Sequence, residues 1–329
     1  MLKKIIYKAV LLVIVSVSIS FGQQKWGQTG LQFLSVSTDG RAAAMGQAMT
    51  SLSQNSLALF YNPASMGKMK QFIDGTASQN NWFADMQHNA FSIAISPANG
   101  RFGVIGATLK NVDYGEIQGT VIAENDQGYQ DTEIYNPSSI VAGLGYAKSL
   151  NDKFSVGGQL NIVAQQLGKS IVPEGEDSSI VKDNVVNGVS FDFGTIYKTG
   201  FKSLAFGMSV RNFSGELKYE DEGFQLPLTF TMGISMNLFD LINEDINSHS
   251  LLFAIDALHY RSHPEQINIG LEYALKDMFF IRCGYRSAEE LHNLSYGFGI
   301  KLVGLNVDYA YTPFGVFDSV QRFTIGFSI

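Results

Sequence analysis

The feature that most constrains this chain is a two-residue alternation of side-chain size and polarity, which begins near residue 71 and recurs to residue 329. In residues 294–302, large apolar side chains at every second position alternate with serine, glycine and lysine. Successive side chains of a β-strand point to opposite faces, whereas a helix repeats every 3.6 residues. The pattern therefore predicts strands with one apolar face and one small or polar face.

Fourteen such runs occur along the chain. Their typical length is close to the roughly 9–11 residues that a tilted membrane strand needs, and an even number is typical of bacterial membrane barrels. The runs cover 71–80, 88–96, 101–113, 139–148, 153–167, 185–198, 203–213, 226–238, 249–259, 265–275, 278–287, 293–302, 304–311 and 320–329. We therefore predict an all-β fold, a transmembrane antiparallel β-barrel of about fourteen strands over residues 71–329.

The connections between the runs alternate in length, as short periplasmic turns and longer outer loops do in bacterial barrels. Short connections are predicted at 97–100, 149–152, 199–202, 276–277 and near 303, and long ones at 114–138, 168–184 and 214–225. Two connections depart from this rule, because 240–248 is long and 260–264 is short. The alternation favours a closed barrel whose two ends both lie in the periplasm.

The two faces of the runs differ enough to predict their surroundings. In 226–238, one face is entirely large and apolar, and the other holds threonine, glycine, serine and asparagine. In the later runs this second face carries Asp256, Glu272, Arg282, Arg286, Lys301, Asp308 and Arg322. A charged face of small residues suits a lumen, and a continuous apolar face suits outer-membrane lipid. A soluble sandwich that buries the apolar face remains the alternative.

Charge excludes one class of partner. The chain has 23 Lys and Arg against 30 Asp and Glu, so its formal net charge is −7. Binding of nucleic acid requires a basic face, and this balance argues against it. The single cysteine, Cys283, also excludes a disulfide framework.

The N-terminal residues 1–22 have the pattern of a secretory signal peptide. Three lysines precede a short apolar segment, and small residues precede the polar sequence that follows Gly22. The apolar segment is shorter than the roughly 20 residues that a membrane-spanning helix needs, although a retained anchor is the alternative. We therefore expect cleavage near Gly22 and localisation in the bacterial outer membrane.

Residues 23–70 differ from the alternating runs. They contain turn signals at Asp39-Gly40 and Asn62-Pro63, and alanine-rich stretches that predict short helices. A segment of this size is too small to form its own core. We therefore expect it to fold into the lumen as a plug.

The plug contains a motif whose residues are Asp39, Gly40, Arg41, Met45, Gly46, Asn62, Pro63 and Ala64. The motif resembles the N-terminal signature of PorV/PorQ-family outer-membrane proteins, for which "ARAAGMGGA … NPAGLA" is typical. These proteins are similar to FadL-type long-chain fatty-acid transporters, which are fourteen-stranded barrels with an N-terminal hatch. Here Ala44 replaces a glycine, and Ser65-Met66 replaces Gly-Leu.

The resemblance implies two functions. Some members of the family belong to the type IX secretion machinery, where they receive secreted substrates and pass them to a surface attachment complex. This implies secretion-system or other envelope proteins and secreted substrates as partners. The alternative is a FadL-like channel, whose partners are hydrophobic small molecules. The sequence does not select between these two functions.

The lumen charges allow two interpretations. Buried charges need partners, so Asp256, Glu272, Arg282, Arg286, Asp308 and Arg322 are expected to form an ion-pair network that braces the plug. Alternatively, Arg282, Arg286 and Arg322 form a patch that binds a carboxylate ligand. Arg41 of the plug is expected to join either arrangement through Asp256 or Asp308.

Other chemistry has weak support. His259 and His263 have a spacing that binds zinc on a helix, but Pro264 makes a helix there unfavourable. Carboxylates that suit calcium lie in the outer loops, where a solvated surface is the simpler interpretation: Glu116, Glu124, Asp126, Asp131, Glu133, Glu174, Glu176, Asp177 and Asp183. A lipase or protease is the third hypothesis, but the sequence lacks the spacing of a catalytic triad. We therefore expect no enzymatic activity, no cofactor and no metal.

Overall fold

The computed structural model describes residues 29–173, 179–220, 222–241, 248–287, 293–317 and 319–329. The predicted signal peptide lies outside these residues. Within them, fourteen antiparallel strands form one closed barrel. The strands are β1 (Ile73–Asn81), β2 (Gln87–Ile95), β3 (Val104–Asp113), β4 (Ser138–Ser149), β5 (Phe154–Pro173), β6 (Ser179–Lys198), β7 (Ala205–Phe213), β8 (Thr229–Asn237), β9 (His249–Tyr260), β10 (Gln266–Leu275), β11 (Phe279–Arg286), β12 (Leu294–Leu302), β13 (Leu305–Pro313) and β14 (Ser319–Ser328).

Each strand pairs with its neighbours in the sequence, and β1 closes the barrel by pairing with β14. In that closing ladder, Gly75 is opposite Phe327 and Asn80 is opposite Arg322. Closure leaves no unpaired sheet edge in the barrel wall, which is what a sheet in lipid requires. The fold and the strand number predicted from the alternation are confirmed.

Two of the predicted outer loops contain more strand than expected. The connection between β3 and β4 includes a hairpin of Ile117–Ile122 and Tyr129–Tyr135. The prediction of a loop over 168–184 is wrong, because β5 and β6 are 20 residues long and their pairing continues across a bulge at Gln166/Lys169. At about 3.3 Å per residue each strand spans about 66 Å, so part of the hairpin projects beyond the membrane.

The burial pattern identifies the two faces of the barrel. In β8, Thr229, Thr231 and Ser235 are buried, whereas Met232 and Ile234 between them are exposed. A sandwich would bury the apolar side chains, so the inward polar face and the outward apolar face exclude that alternative. In the part of the chain that the structure describes, no helix is both long and apolar enough to cross a membrane.

The described part of the plug fills the lumen with short elements. It contains a helix α1 (Gly40–Ala44) and 3-10 helices at Gln32–Ser35, Ser56–Phe60 and Pro63–Lys68. Helix α1 lies against β11–β14, while Pro63–Lys68 lies against β4–β6 on the other side of the barrel. The plug buries Met45, Met49, Leu59 and Met66 almost completely, so its core is shared with the barrel wall.

Candidate functional site

The interface between the plug and the barrel wall holds most of the residues singled out by the sequence. At its centre, the side chain of Asp39 caps helix α1, because Oδ1 accepts a hydrogen bond from Ala42 N at 2.9 Å. Its Oδ2 accepts a hydrogen bond from the Tyr61 hydroxyl at 2.5 Å. An Asp N-cap satisfies backbone N–H groups that the helix leaves free. Asp39 therefore joins two distant parts of the plug.

Burial controls the ionisation of this pair. Asp39 is fully buried, and burial raises the pKa of its carboxyl group, while the hydrogen bond from Tyr61 lowers it. Burial also raises the pKa of the Tyr61 hydroxyl, and the nearby Asp39 carboxylate raises it further. The hydroxyl is therefore a hydrogen-bond donor at neutral pH.

An ion-pair network connects α1 to the wall. Arg41 donates to Glu272 through Nε at 2.9 Å and Nη2 at 2.8 Å. Arg282 of β11 donates to the same carboxylate through Nε at 2.5 Å and to Asp308 Oδ1 through Nη1 at 2.6 Å. The two cations and two carboxylates balance, as buried charges require. Bidentate geometry makes Arg41–Glu272 a strong and directional contact.

Arg41 does not pair with either carboxylate expected from the sequence. Its direct partner is Glu272, whereas Asp256 accepts a hydrogen bond from Thr50 N of the plug at 2.9 Å. Asp308 is reached only through Arg282. The reason is positional, because side chains on alternate residues of adjacent strands share one face and sequence alone does not say which of them α1 approaches.

Arg322 and Arg286 lie outside this four-membered network. Arg322 donates from Nη1 to Thr312 Oγ1 at 3.0 Å, and its guanidinium lies 5.4 Å from the centre of the Trp82 ring. Arg286 is opposite Asn268 in the ladder of β10 and β11. Glu272 and Asp308 thus engage Arg282, whereas Arg322 contacts Thr312 and Trp82.

The second half of the plug motif attaches the plug to the opposite side of the barrel wall. Asn62 caps the Pro63–Lys68 turn through a hydrogen bond from Ala64 N to Oδ1 at 3.1 Å. Its Nδ2 donates to Thr50 O at 2.7 Å and to Thr195 O of β6 at 3.1 Å. Asn62 thus ties two plug segments to the wall, which explains why the motif contains Asn rather than another turn residue.

Glycine residues of the barrel wall allow the plug backbone to approach the wall closely. Gly46 follows α1 with a positive φ of 60°, which glycine adopts without strain. A Cβ added at Gly284 would lie 2.0 Å from Gly46 N, and one added at Gly270 would lie 2.6 Å from Met45 O. The inward glycines of β10 and β11 are therefore required by the close approach of the plug.

Three wall residues that hold the plug were not predicted. Lys110 donates from Nζ to Phe33 O at 2.5 Å and to Val36 O at 2.9 Å, and Arg211 donates to Phe60 O at 2.8 Å. Asp74 accepts hydrogen bonds from Ser56 N and Oγ. Their inward positions in the alternation are the available signal, because a charged side chain on that face needs a partner in the lumen.

Two spaces lie beside the described plug. A cavity of about 50 Å³ lies between the plug and the wall near Lys110, Gln159 and Asp192. A larger space of about 420 Å³ opens at the end of the short turns, and Arg41, Arg282, Lys301 and Asp277 line it. Ser53, Gln54, Asn55 and Leu57 of the plug also line this opening.

An apolar cluster occupies the lumen toward the long loops. Leu31 and Phe33 of the plug pack against Val112, Val141 and Val163 of the wall, together with Val186 and Leu226. These side chains are nearly fully buried. The cluster therefore joins the first described residues of the plug to several wall strands through apolar contacts.

The weaker candidates do not form sites in the described residues. No group of three or more His, Cys, Asp or Glu residues that would hold a metal ion is found there. His259 lies on a strand rather than a helix and pairs with Glu265 at 3.1 Å, and His263 contacts Ser262. Of the acidic loop residues, Glu174, Glu176 and Asp177 lie outside the described range.

Comparison with known proteins identifies a family to which the chain is similar. A family model described as "Type IX secretion system membrane protein PorP/SprF" matches residues 48–328. The match is to PorP/SprF, and it does not confirm the PorV/PorQ resemblance of the plug motif. The comparison with curated proteins gave no significant match.

Three solved structures share the fold. The toluene transporter TodX of Pseudomonas putida is 13% identical, with a TM-score of 0.55 over 93% of this chain and 99% of that chain. A FadL homologue of Pseudomonas aeruginosa is 12% identical, with a TM-score of 0.54 over 88% and 97%. The monoaromatic hydrocarbon channel CymD is 13% identical, with a TM-score of 0.53 over 91% and 97%. At such low identity these likenesses establish the FadL-like barrel fold alone.

Proposed function

Because the chain belongs to the PorP/SprF family of type IX secretion system membrane proteins, we propose that it is a non-enzymatic component of that machinery in the outer membrane. In this role it binds envelope proteins and secreted substrates during secretion or surface assembly. The plug motif that resembles the PorV/PorQ signature supports a place in the same machinery. The similar solved structures are transport barrels, which agrees with a non-enzymatic role.

The filled lumen is the observation that carries this proposal. Arg41, Asn62 and Thr50 connect the plug to β10, β6 and β9, and the cavity between the plug and the wall near Lys110 is only about 50 Å³. An extended polypeptide cannot pass through a space that holds only a few water molecules. The protein therefore acts through its two ends, where it contacts other proteins, rather than as a conduit for polypeptide.

Export is part of the proposal. We infer that the segment 1–22 is removed near Gly22 after translocation, because its basic start, short apolar core and small residues fit a signal peptide. Sequencing the N-terminus of the protein purified from outer membranes tests this. An intact Met1 would contradict cleavage and favour a retained anchor.

Two experiments test the secretion function. Deleting the gene should leave type IX substrates in the periplasm, and restoring the native chain should release them. Purification in mild detergent should recover defined envelope partners. A deletion strain that secretes every type IX substrate normally would refute the proposal, as would a barrel that always purifies alone.

A channel for hydrophobic small molecules is the second candidate. The apolar cluster around Leu31, Phe33 and Val141 favours it, and TodX and CymD are named as a toluene transporter and a monoaromatic hydrocarbon channel. Phe33→Asn should then reduce uptake of an aromatic hydrocarbon, while Leu150→Asn on an exposed turn should not. Uptake that is unchanged by deleting the whole gene would exclude this function.

A further inference from the structure

The two ends of the barrel carry opposite charge. The described residues at the end of the short turns include nine basic side chains that are not buried, namely Lys68, Lys70, Arg101, Lys148, Lys153, Lys198, Lys202, Lys276 and Lys301, against the carboxylates of Asp152, Asp240 and Asp277. The opposite end has twelve acidic side chains, namely Asp85, Asp113, Glu116, Glu124, Asp126, Asp131, Glu133, Asp183, Glu216, Glu220, Glu222 and Glu265, against Lys169, Lys182, Lys218 and Arg261. Since short turns are periplasmic in bacterial barrels, the basic end faces the periplasm.

Three lysines of this end form what we call the basic patch: Lys68, Lys153 and Lys198. Lys68 Nζ donates to the Asp152 carbonyl, and Lys153 Nζ donates to Thr199 O at 3.5 Å. The backbones of Lys153 and Lys198 are joined by a hydrogen bond of 2.7 Å. In the described part of the chain, no carboxylate lies within 4.0 Å of these three ammonium groups.

The plug holds the patch in place. Ser149 Oγ donates to Gly67 O at 3.1 Å, and a Cβ at Gly67 would lie 3.2 Å from the Lys148 backbone. Lys68 is thereby kept beside Lys198. Burial lowers the pKa of Lys68 most, the charge of Lys198 lowers it further, and the charge of Asp152 raises it. Like charges held close together repel, and a bound anion offsets that repulsion.

The position of the patch decides what binds it. Lys198 has the same parity in β6 as the inward residues Asp192 and Gly194, and Lys68 belongs to the plug, so both lie toward the barrel axis. Lys148 has the outward parity in β4 and is the lysine placed to meet lipid headgroups. A second copy in the same membrane presents its acidic end to the other compartment. The patch therefore suits an acidic protein segment in the periplasm.

We propose that the basic patch is a docking site for an acidic segment of a periplasmic protein. The proposal rests on the secretion function above and adds the side of the barrel and the charge of the partner. Docking at this site brings the partner onto the axis of the barrel and against the end of the plug. It is sensitive to salt, because exposed charge pairs are screened within about 10 Å at 0.1 M ionic strength.

A binding experiment on the full-length protein in uncharged detergent tests the site. The probe is fluorescent poly-L-glutamate, and the test variant is Lys68→Gln/Lys153→Gln/Lys198→Gln. The control variant, Lys169→Gln/Lys182→Gln/Lys218→Gln, removes three charges from the acidic end. The test variant should bind about tenfold more weakly, since each exposed pair contributes modestly, and the control should bind as the native chain does. Equal affinity of the two variants would overturn the proposal.

Further variants separate folding and lipid from docking. Lys68→Arg/Lys153→Arg/Lys198→Arg keeps the charge and should bind the probe normally, and all variants should show the same heat-modifiable gel band. Vesicles of phosphatidylcholine with phosphatidylglycerol provide the lipid arm. If the test variant loses vesicle binding but keeps poly-L-glutamate binding, the patch binds lipid and the proposal is wrong.

Secretion in cells distinguishes this proposal from the one it rests on. If deletion of the gene leaves secretion intact, the secretion function fails. If deletion blocks secretion but the test variant secretes as well as the control variant, only the docking site fails. Support requires a secretion defect in the test variant at native levels of barrel, with secretion restored by the arginine variant.

Discussion

At the scale of single residues, charge and hydrogen bonding explain how the plug is held. Arg41 is the clearest example, because its guanidinium lies in the plug while both oxygens that it contacts belong to Glu272 in the wall. The hydrogen bond from the Tyr61 hydroxyl to the Asp39 carboxylate joins two segments of the plug. Each contact joins residues far apart in sequence, so each stabilises the docked plug rather than a local element.

Removing the Arg41 guanidinium should loosen the plug. Arg41→Met leaves the buried Glu272 with Arg282 alone, and loss of one member of a buried pair costs about 3–5 kcal/mol. We expect the heat-modifiable band to convert at a lower temperature. Lys301→Met removes an exposed charge from the same opening and should convert at the native temperature. Equal behaviour of the two variants would contradict the bracing role of Arg41.

Tyr61→Phe should destabilise the plug more at pH 7 than at low pH. The native hydroxyl donates to Asp39, and loss of a hydrogen bond to a charged group costs about 1.5–3 kcal/mol. The folded-state pKa of Asp39 is raised by burial, so the carboxyl group is protonated as the pH falls below that value and the bond then matters less. Urea unfolding in detergent at several pH values measures the difference. A pH-independent penalty would indicate that the Asp39 charge is not involved.

At the scale of elements, small residues decide where the plug touches the wall. Helix α1 contacts strands β11–β14, and the wall has glycine where the plug backbone comes closest. The alternation predicted that these glycines face inward, and the structure gives the reason for their size. The turn Pro63–Lys68 contacts β4–β6 in the same manner, with Gly157 beside Pro63 and Ala64.

A single methyl group on the wall should disturb docking. In Gly284→Ala the new Cβ lies 2.0 Å from Gly46 N, and overpacking of this kind costs about 1–3 kcal/mol. Gly215→Ala is the matched control, because nothing lies within 4 Å of its Cβ. We expect a lower urea midpoint for the first variant alone. Identical midpoints would show that the plug moves aside without penalty.

At the scale of the whole molecule, the barrel is a polar lumen inside an apolar wall. The mean hydropathy of the sequence, +0.05, is an average over these two environments. The acidic surplus lies mainly on the outer loops, while the periplasmic turns are basic. This polarity suits a protein that meets different partners on the two sides of a membrane.

The filled lumen predicts low conductance. The barrel reconstituted in planar bilayers should pass far less current than an open porin of similar strand number, because the plug packs against both sides of the wall and the cavity beside it near Lys110 is only about 50 Å³. Deletion of residues 29–70 should raise the current if the shortened barrel retains its heat-modifiable band. A large, steady current through the native protein would contradict a docked plug.

The sequence by itself determined the closed barrel, its strand number and the two faces, because side-chain alternation and strand length are local properties that lipid and lumen select. It also marked the turns of the plug through Asp39 and Asn62, whose side chains cap the elements that follow. The pairing of β5 with β6 beyond residue 168 was missed, since a solvated hairpin lacks the apolar face that reveals a membrane strand. The partner of Arg41, the roles of Lys110 and Asp74, and the cluster of Lys68 with Lys198 were decided only by the tertiary structure. Each depends on where a separate segment docks inside the barrel, which is set by packing between residues distant in sequence.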